Sequence, residues 1–229
     1  MIKREEYLKK IRPFMSKEIV KVLTGIRRCG KSVMLELIKE DLVSQGIKKE
    51  NLFSVNFETG AVSYVKSLEE TYEVVKEFAA KRKEKIYLFF DEIQELPHWE
   101  NLVNSIMIDF DADIYITGSN AKMLSGELAT YLGGRYVEFK IYPFSFAEVL
   151  QMLPDKPEAE VFQTYLTKGG MPFLYQFPFD EISSKQYLCD IYDSIVLKDI
   201  VQRNKIRDME QFKRVLLYFI AEIGHTFSA

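Results

Sequence analysis

Cysteine, histidine and tryptophan are scarce in this sequence of 229 residues, which contains two, two and one of them, respectively. Cys29 and Cys189 lie far apart and provide no disulfide framework, so we expect a reducing, cytoplasmic setting. The two histidines show no metal-ligand spacing. No apolar run is long enough to span a bilayer, and the start MIKREEYLKK lacks the apolar segment of a signal peptide. These absences argue against a disulfide scaffold, a histidine-based metal site and a membrane protein.

An excess of charge of one sign is also lacking, because the net charge is only -3. This balance argues against a nucleic-acid-binding surface that covers the whole protein. The charge is unevenly distributed, since residues 1–50 contain 13 Lys and Arg against 7 Asp and Glu. Such a segment could attract phosphate, although for residues 1–17 we favour a solvated helix face. Hydrophobic residues make up 47% of the chain, which is enough for a sizeable core.

Strand and helix patterns alternate through the first two-thirds of the chain. The predicted strands lie in residues 19–25, 52–57, 85–92, 113–120 and 135–146, the last of them stopped by Pro143. The predicted helices between them are 31–46, 67–83 and 98–110. Nearly continuous apolar strands in such an alternation predict an α/β fold, with a parallel five-stranded sheet covered by helices on both faces. From about residue 144 the patterns are helical only, which predicts a small all-helical domain after the sheet.

The segment GIRRCGKS, residues 25–32, fits the pattern G-x-x-x-x-G-K-[ST] of the phosphate-binding P-loop. A predicted strand precedes it and a predicted helix begins at Lys31, although a chance match in a strand–helix turn is the alternative. Backbone N–H groups of the loop and the helix N-terminus would surround phosphate, Lys31 would reach the β- and γ-phosphates, and Ser32 would offer its hydroxyl to Mg²⁺. The predicted nucleotide-binding residues of this segment are Gly25, Ile26, Arg27, Arg28, Cys29, Gly30, Lys31, Ser32 and Val33.

Three of these residues have open interpretations. Arg27 and Arg28 are not required by the pattern, so they either contact phosphate or face solvent. Cys29 is interpreted as a small residue that fits the loop. If its thiol were exposed near Lys31, its modification could block nucleotide binding.

Two acidic residues end KIYLFFDE, the most apolar run of the chain. Asp91 would hold the Mg²⁺ shell and Glu92 would polarise the attacking water, unless the two acids merely begin the next loop. A strand order of 5-1-4-3-2 would place Gly30 and Asp91 at the same sheet edge, with one strand between them. That strand ends in Asn120, which either touches the γ-phosphate and orients water or forms a turn.

Five segments, GIRRCGKS, DEIQELPHWENLVNSI, TGSNAKML, GGRYVEFKIYPFSFAEVL and KGGMPFL, occur in this order along the chain. Together they resemble the AAA+ superfamily, and more narrowly the bacterial and archaeal predicted ATPases that carry a nuclease-like C-terminal region of unknown function. The resemblance implies an AAA+-type P-loop ATPase core over residues 1–143 and a helical lid over 144–206. It also implies that residues 207–229 begin a winged-helix-like segment, and that the nuclease-like region is absent from this chain.

The resemblance assigns further roles. Asn120 would be the first sensor residue of the ATPase. Asn56 resembles the residue that restrains the catalytic glutamate, here Glu92, unless it is a turn residue at the end of a strand. Gly170 and Pro172 match a lid motif that packs near the adenine, unless KGGMP is a plain helix end.

Arg135 occupies the place from which AAA+ proteins supply an arginine to the γ-phosphate of a neighbouring subunit. A guanidinium suits this task because it stays charged and presents a planar fork to phosphate oxygens. The alternative is a surface ion pair with a nearby acid such as Glu138.

The resemblance therefore implies an ATP-binding and Mg²⁺-dependent ATP-hydrolysing enzyme without a membrane partner. It would act as a nucleotide-driven conformational switch, as a possible homo-oligomer, together with a protein or DNA partner. The alternative is a nucleotide-dependent binding module with little turnover, but Glu92 and Arg135 favour turnover because a pure switch could lack both. A small-molecule kinase is disfavoured because the helical region shows no Arg-rich lid.

Overall fold

A single parallel sheet organises the computed structural model, which describes residues 2–58, 67–119, 132–176, 180–195, 200–201 and 206–225. The strands are β1 (Val20–Gly25), β2 (Leu52–Asn56), β3 (Ile86–Asp91), β4 (Ala112–Ser119) and β5 (Tyr136–Lys140). Their order is β2-β3-β4-β1-β5 and every pairing is parallel. The predicted fold class and the strand order 5-1-4-3-2 are therefore confirmed.

Eight α-helices lie in the described ranges. They are α1 (Glu5–Ile11), α2 (Lys31–Ser44), α3 (Leu68–Ala80), α4 (Trp99–Asp109), α5 (Phe146–Met152), α6 (Glu158–Lys168), α7 (Glu181–Ser194) and α8 (Met209–Ala221). Two of them begin with a capping box, in which Ser67 pairs with Glu70 at the start of α3 and Ser145 pairs with Glu148 at the start of α5. Within these ranges no helix is long and apolar enough to cross a membrane.

Apolar side chains pack on both faces of the sheet. On one face, Leu88 and Ile116 belong to a buried cluster that includes residues of α3 and α4. On the other face, Phe89 and Tyr115 belong to a cluster with residues of α1 and α2. Successive residues of each strand point to opposite faces, and both faces are covered, so the strands are apolar along nearly their whole length. Burying each large apolar side chain contributes about 1.5–3 kcal/mol to folding.

The fifth strand is slightly shorter than the sequence predicts, since β5 ends at Lys140 and not at Pro143. The N–H of Ile141 still donates to the carbonyl of Thr24, at 2.6 Å, but the chain then leaves the sheet. Phe144 instead donates to the carbonyl of Gly170, at 2.7 Å. The chain separates into two compact units, Met1–Lys185 and Gln186–Ala229. The predicted domain limits of 1–143, 144–206 and 207–229 stay predictions.

The amino ends of β1 and β4 contain a buried ion pair between Lys21 and Asp113. Lys21 Nζ also donates to the carbonyl of Lys17 at 3.0 Å, while Asp113 accepts from the Tyr115 hydroxyl and the Ser16 N–H, both at 2.7 Å. Burial lowers the pKa of Lys21 and raises the pKa of Tyr115. This network ties the segment before β1 to the central strand β4.

Candidate functional site

The carboxyl ends of β1, β3 and β4 bring the predicted phosphate loop and the predicted acids to one edge of the sheet. The loop leaves β1 at Gly25 and enters α2 at Lys31, while Asp91 is the last residue of β3. β4 lies between β1 and β3, as the predicted strand order requires. In open α/β sheets ligands bind at this edge, so we take it as the candidate site.

Two glycines are required by the geometry of the phosphate loop. Gly30 has a φ of +101°, in the left-handed region that favours glycine, and it immediately precedes α2. A Cβ on Gly25 would lie 2.3 Å from the carbonyl oxygen of Ile141, so no larger residue fits there. The glycines of the motif thus allow the chain to turn tightly from β1 into α2.

The side chain of Lys31 is buried and directed toward the loop and the acids. Its Nζ lies 3.2 Å from Oε1 of Glu92, and the two side chains are 3% and 13% exposed. It also donates weakly to the carbonyls of Gly25 and Ile26, at 3.3 and 3.4 Å. Glu92 adopts a left-handed φ of 51° and accepts from Gln94 Nε2 at 2.6 Å. The structure therefore brings the predicted lysine and glutamate into direct contact.

Both carboxylate oxygens of Asp91 accept hydrogen bonds from neighbouring strands. Asn56 Nδ2 donates to Oδ2 at 2.8 Å, and the Thr117 hydroxyl donates to Oδ1. The same Thr117 oxygen accepts from the N–H of Glu92 at 2.9 Å. Asn56 also accepts from the N–H of Glu58 at 2.9 Å, as a turn residue does. The amide of Asn56 therefore contacts Asp91, whereas the resemblance implied that Asn56 restrains Glu92.

A cavity of about 280 Å³ opens beside these groups, and its walls include Ser32, Asn56 and Asp91. Hydroxyl and carboxylate oxygens are hard ligands of the kind that Mg²⁺ prefers. In the described ranges no group of three or more His, Cys, Asp or Glu could hold a metal by itself. The donor set therefore fits a Mg²⁺ ion that takes its remaining ligands from phosphate and water.

A second cavity, of about 290 Å³, borders Gly30. Its walls come from the N-terminal segment, the start of α2 and the helical region, through Ile2, Arg4, Gly30, Val33, Phe144, Met152, Pro172 and Gln176. Pro172 opens a short 3₁₀ turn after α6 has ended at Lys168. The KGGMP segment is thus both a helix end and a wall of a cavity next to the loop.

Arg4 is a site residue that sequence reasoning missed. Its guanidinium donates to Glu148 Oε1 at 2.6 Å, to the carbonyl of Tyr142 at 2.8 Å and to the carbonyl of Cys29 at 3.3 Å. Burial acts to raise the pKa of Glu148, but hydrogen bonds from Arg4 and Ser145 outweigh it and lower that pKa. Arg4 is only 3% exposed, so the interpretation of residues 1–17 as a solvated face is wrong here. No signal in the basic N-terminal segment distinguishes this arginine.

Arg27, Arg28 and Cys29 of the phosphate loop have different surroundings in the structure. Arg27 forms an ion pair with Glu58 at 3.1 Å, and Arg28 is exposed with a φ of 62°. Cys29 is fully buried, and burial raises the pKa of its thiol even though Lys31 lies nearby. Its thiol is therefore not the exposed, reactive group that modification would require.

The two remaining predicted residues have different outcomes. Asn120 lies outside the described residues. Arg135 is exposed directly before β5, and it forms no ion pair with any residue that the structure describes. The structure shows no ion pair between Arg135 and Glu138, the partner named in the predicted alternative, and Glu138 accepts a hydrogen bond from the Thr24 hydroxyl.

Family models and curated proteins both match this chain. A model described as an AAA domain matches residues 17–150, and a domain of unknown function (DUF8612) matches residues 159–229. An uncharacterized protein of Haemophilus influenzae is 40% identical over 228 residues, covering 98% of this chain and 56% of the relative. One from Methanocaldococcus jannaschii is 32% identical over 206 residues, covering 85% and 44%. The chain thus spans about half the length of the curated relatives that it matches.

Solved structures with a similar fold belong to AAA+ proteins. The Saccharomyces cerevisiae Hsp104–ADP complex has a TM-score of 0.57 at 16% identity, covering 89% of this chain and 33% of Hsp104. AMPPCP-bound DnaA from Aquifex aeolicus has a TM-score of 0.51 at 14% identity, covering 87% and 64%. At these identities the likeness shows the fold alone. Together with the AAA domain match, it confirms the resemblance to AAA+ P-loop ATPases.

Proposed function

The chain belongs to the AAA domain family, which matches more than half of its length, and from this premise we propose that it binds Mg·ATP and hydrolyses it. One observation carries the proposal: Lys31, Asp91 and Glu92 meet at the carboxyl edge of the sheet, with Lys31 Nζ 3.2 Å from Glu92. The nucleotides held by Hsp104 and DnaA in their complexes agree with this proposal. Asn120, as the first sensor, belongs to the same proposal.

The phosphates would bind over residues 25–33, where the loop N–H groups and the N-terminus of α2 supply partial positive charge. Lys31 already points into this region and would pair with the β- and γ-phosphates. Its three present contacts, at 3.2 to 3.4 Å, are long for hydrogen bonds of an ammonium group. The triphosphate would therefore displace Glu92 as the partner of Lys31 and free the carboxylate.

The base would occupy the cavity of about 290 Å³ next to Gly30. Ile2, Val33, Met152 and Pro172 make much of its wall apolar, which suits a flat aromatic ring with few polar contacts. This cavity includes residues from both the P-loop and the predicted lid. Binding of the base would thus connect the state of the nucleotide to the helical region, as a conformational switch requires.

Ser32 and Asp91 would hold Mg²⁺, because both line the cavity beside the loop. A Mg²⁺ ion held there would supply positive charge to offset the charge that develops on the phosphate oxygens. Glu92, released from Lys31, would orient a water molecule toward the γ-phosphorus and accept its proton. The bond from the γ-phosphorus to the β,γ-bridging oxygen then breaks, and ADP and phosphate leave.

Arg135 would complete this site from a neighbouring copy of the chain. It lies before β5, and β5 runs parallel to β1, so it is at the opposite sheet edge from its own phosphate loop. Five residues of strand separate the two edges by roughly 17 Å, which a side chain cannot span. An exposed arginine at that edge suits a neighbour's γ-phosphate, so the proposal includes a homo-oligomer.

ATP binding and phosphate release by matched variants test the proposed function. Lys31→Ala should abolish tight ATP binding, and Glu92→Gln should bind ATP but release phosphate far more slowly. Lys76→Ala and Glu73→Gln are the controls, because these residues form an exposed pair at 3.0 Å on α3. Undiminished ATP affinity of Lys31→Ala contradicts the proposed site.

Phosphate release also separates the two functional hypotheses. Tight ATP binding with negligible release, with and without added DNA or a candidate protein partner, would favour the alternative of a binding module with little turnover. Release that rises on addition of DNA or protein would support a switch that acts with that partner.

A further inference from the structure

We infer that Thr117 is a positioning residue of the hydrolytic site, through which one hydroxyl group sets both Asp91 and Glu92. The inference rests on the proposed ATPase function. Thr117 donates its hydroxyl hydrogen to Asp91 Oδ1 and accepts the backbone N–H of Glu92 at 2.9 Å. One hydroxyl group thus links the proposed metal-holding acid to the backbone of the proposed hydrolytic acid.

A hydroxyl group is chemically suited to this double contact. An ionised carboxylate only accepts hydrogen bonds and a backbone N–H only donates, so the side chain between them must do both. Threonine supplies one donor and two acceptor positions. Valine has nearly the same shape without either, and would leave Asp91 and the Glu92 N–H each short of one partner.

The location of Thr117 makes these contacts rigid. It lies on β4, between β1 and β3, and its side chain is 0% exposed. Ile116 is the register partner of Phe90, so Thr117 stands level with Asp91 on the adjacent strand. A branched side chain buried in the central strand has little rotational freedom, so the hydroxyl is fixed in direction.

The contact with Glu92 has a consequence of its own. Glu92 adopts a left-handed φ of 51°, which a residue with a side chain adopts only when its surroundings hold it there. The bond from its N–H to Thr117 is part of that support, and the resulting turn directs the carboxylate toward Lys31. Without Thr117, Asp91 would keep the hydrogen bond from Asn56 to its other oxygen, whereas the Glu92 N–H would lose the Thr117 hydroxyl as its acceptor. Loss of Thr117 should therefore affect hydrolysis as well as Mg²⁺ binding.

The test compares Thr117→Val, Thr117→Ser and wild type by titration with ATP, first in EDTA and then with Mg²⁺, and by phosphate release. Residues that orient metal ligands typically contribute about 10- to 100-fold to metal affinity or activity. We therefore expect Thr117→Val to bind ATP normally in EDTA, to lose the gain in affinity that Mg²⁺ gives, and to hydrolyse about 10- to 100-fold more slowly. Thr117→Ser should restore both properties.

A purely structural role predicts a different pattern. Thr71 provides the control, because it is also a fully buried threonine, and its hydroxyl donates to the carbonyl of Ser67 at 2.8 Å, on α3. Thr71→Val should change the melting temperature but not the Mg²⁺ dependence. If Thr117→Val keeps the wild-type gain from Mg²⁺ and the wild-type turnover, or if Thr117→Ser fails to restore them, the inference is overturned.

Two further outcomes are distinguishable. If Thr117→Val does not fold, Thr117→Cys replaces it, because a thiol donates and accepts hydrogen bonds only weakly. The gain in ATP affinity that Mg²⁺ gives to Thr117→Cys should then lie between that of wild type and none. Equal Mg²⁺ dependence of Thr117→Cys and Thr117→Ser would then contradict the inference. If wild type itself shows no Mg²⁺-dependent ATP binding, the proposed function fails, and the inference fails with it.

Discussion

Each edge of the sheet has a buried lysine paired with a carboxylate, but the two pairs differ in how closely they are bonded. At the amino edge, Lys21 and Asp113 are both 0% exposed, and their additional hydrogen bonds are 2.7 to 3.0 Å long. At the carboxyl edge, the contacts of Lys31 are 3.2 to 3.4 Å long and its partner Glu92 borders the loop. The first pair is fully buried and closely bonded, whereas the second is held by longer contacts.

The difference indicates what each pair can do. Removing one partner of a fully buried pair leaves an uncompensated charge, so the amino-edge pair should resist exchange of partners. A loosely held lysine can transfer to a better anion without such a cost. A lysine–carboxylate pair therefore has a structural role at one end of β1 and, by our proposal, a ligand-binding role at the other.

The largest effect should come from the one functional residue assigned to the amino edge, Arg135. Arg135→Ala should lower the rate of ATP hydrolysis by about 10³- to 10⁵-fold, because an arginine of this kind stabilises charge in the transition state. Arg135→Ala and Lys31→Ala should each be inactive alone, yet a mixture should regain part of the activity. An intact phosphate loop on one copy then meets an intact arginine on another. A mixture that stays inactive, while both variants fold and associate, rules out action across an interface.

Breaking the amino-edge pair should give the next largest effect, on stability. Lys21→Met should lower the free energy of unfolding by about 3–5 kcal/mol, because Asp113 would remain buried without its cation. Lys31→Met should lower it by much less, since Glu92 keeps its contact with Gln94. Denaturant unfolding followed by the fluorescence of Trp99, the single tryptophan, measures both. Equal losses of unfolding free energy for Lys21→Met and Lys31→Met would contradict the proposed difference between the two ion pairs.

Weakening the carboxyl-edge pair should have a smaller effect, on binding. Glu92→Gln should bind ATP about two- to fivefold more tightly than wild type, because the neutral amide competes less for Lys31. Such a change corresponds to about 0.4–1 kcal/mol of binding free energy. Titration at equal Mg²⁺ concentration measures the change, with Glu73→Gln as the control on the exposed pair of α3. Weaker binding by Glu92→Gln would mean that Glu92 does not restrain Lys31.

The smallest effect concerns a third ion pair, between Arg12 and Asp41 of α2, at 2.8 Å. The hydrogen bond from Arg12 lowers the pKa of Asp41 below its ordinary value of 3.8. The stability that this pair contributes is therefore complete above that pH and is lost as the pH falls below it. Asp41→Asn should be less stable than wild type at pH 7, and the difference should shrink below about pH 3.8. Unfolding free energies at several pH values decide this, and a constant difference would contradict it.

The sequence predicted those features whose signals are local. The phosphate loop and the two acids of β3 each stand in one short segment, and hydrophobic periodicity was sufficient to locate the strands. The strand order came with the P-loop interpretation and not from periodicity. Thr117 was missed because its partners lie 25 and 26 positions away, on a strand that becomes its neighbour only in the folded sheet. Arg4 was missed because its three acceptors are 25, 138 and 144 positions distant. A side chain in a basic segment gives no local sign that it will be buried.

The contrast between the two cysteines provides a way to observe the phosphate loop in solution. Cys189 is exposed, whereas Cys29 lies within the loop, is fully buried and has a raised thiol pKa. A thiol-reactive dye should therefore label Cys189 quickly, and label Cys29 only during the moments when the loop opens. The rate of the slow phase of the labelling reaction then measures how often the loop opens. Because a bound triphosphate would hold the loop closed, ATP should lengthen that phase and leave the fast phase unchanged.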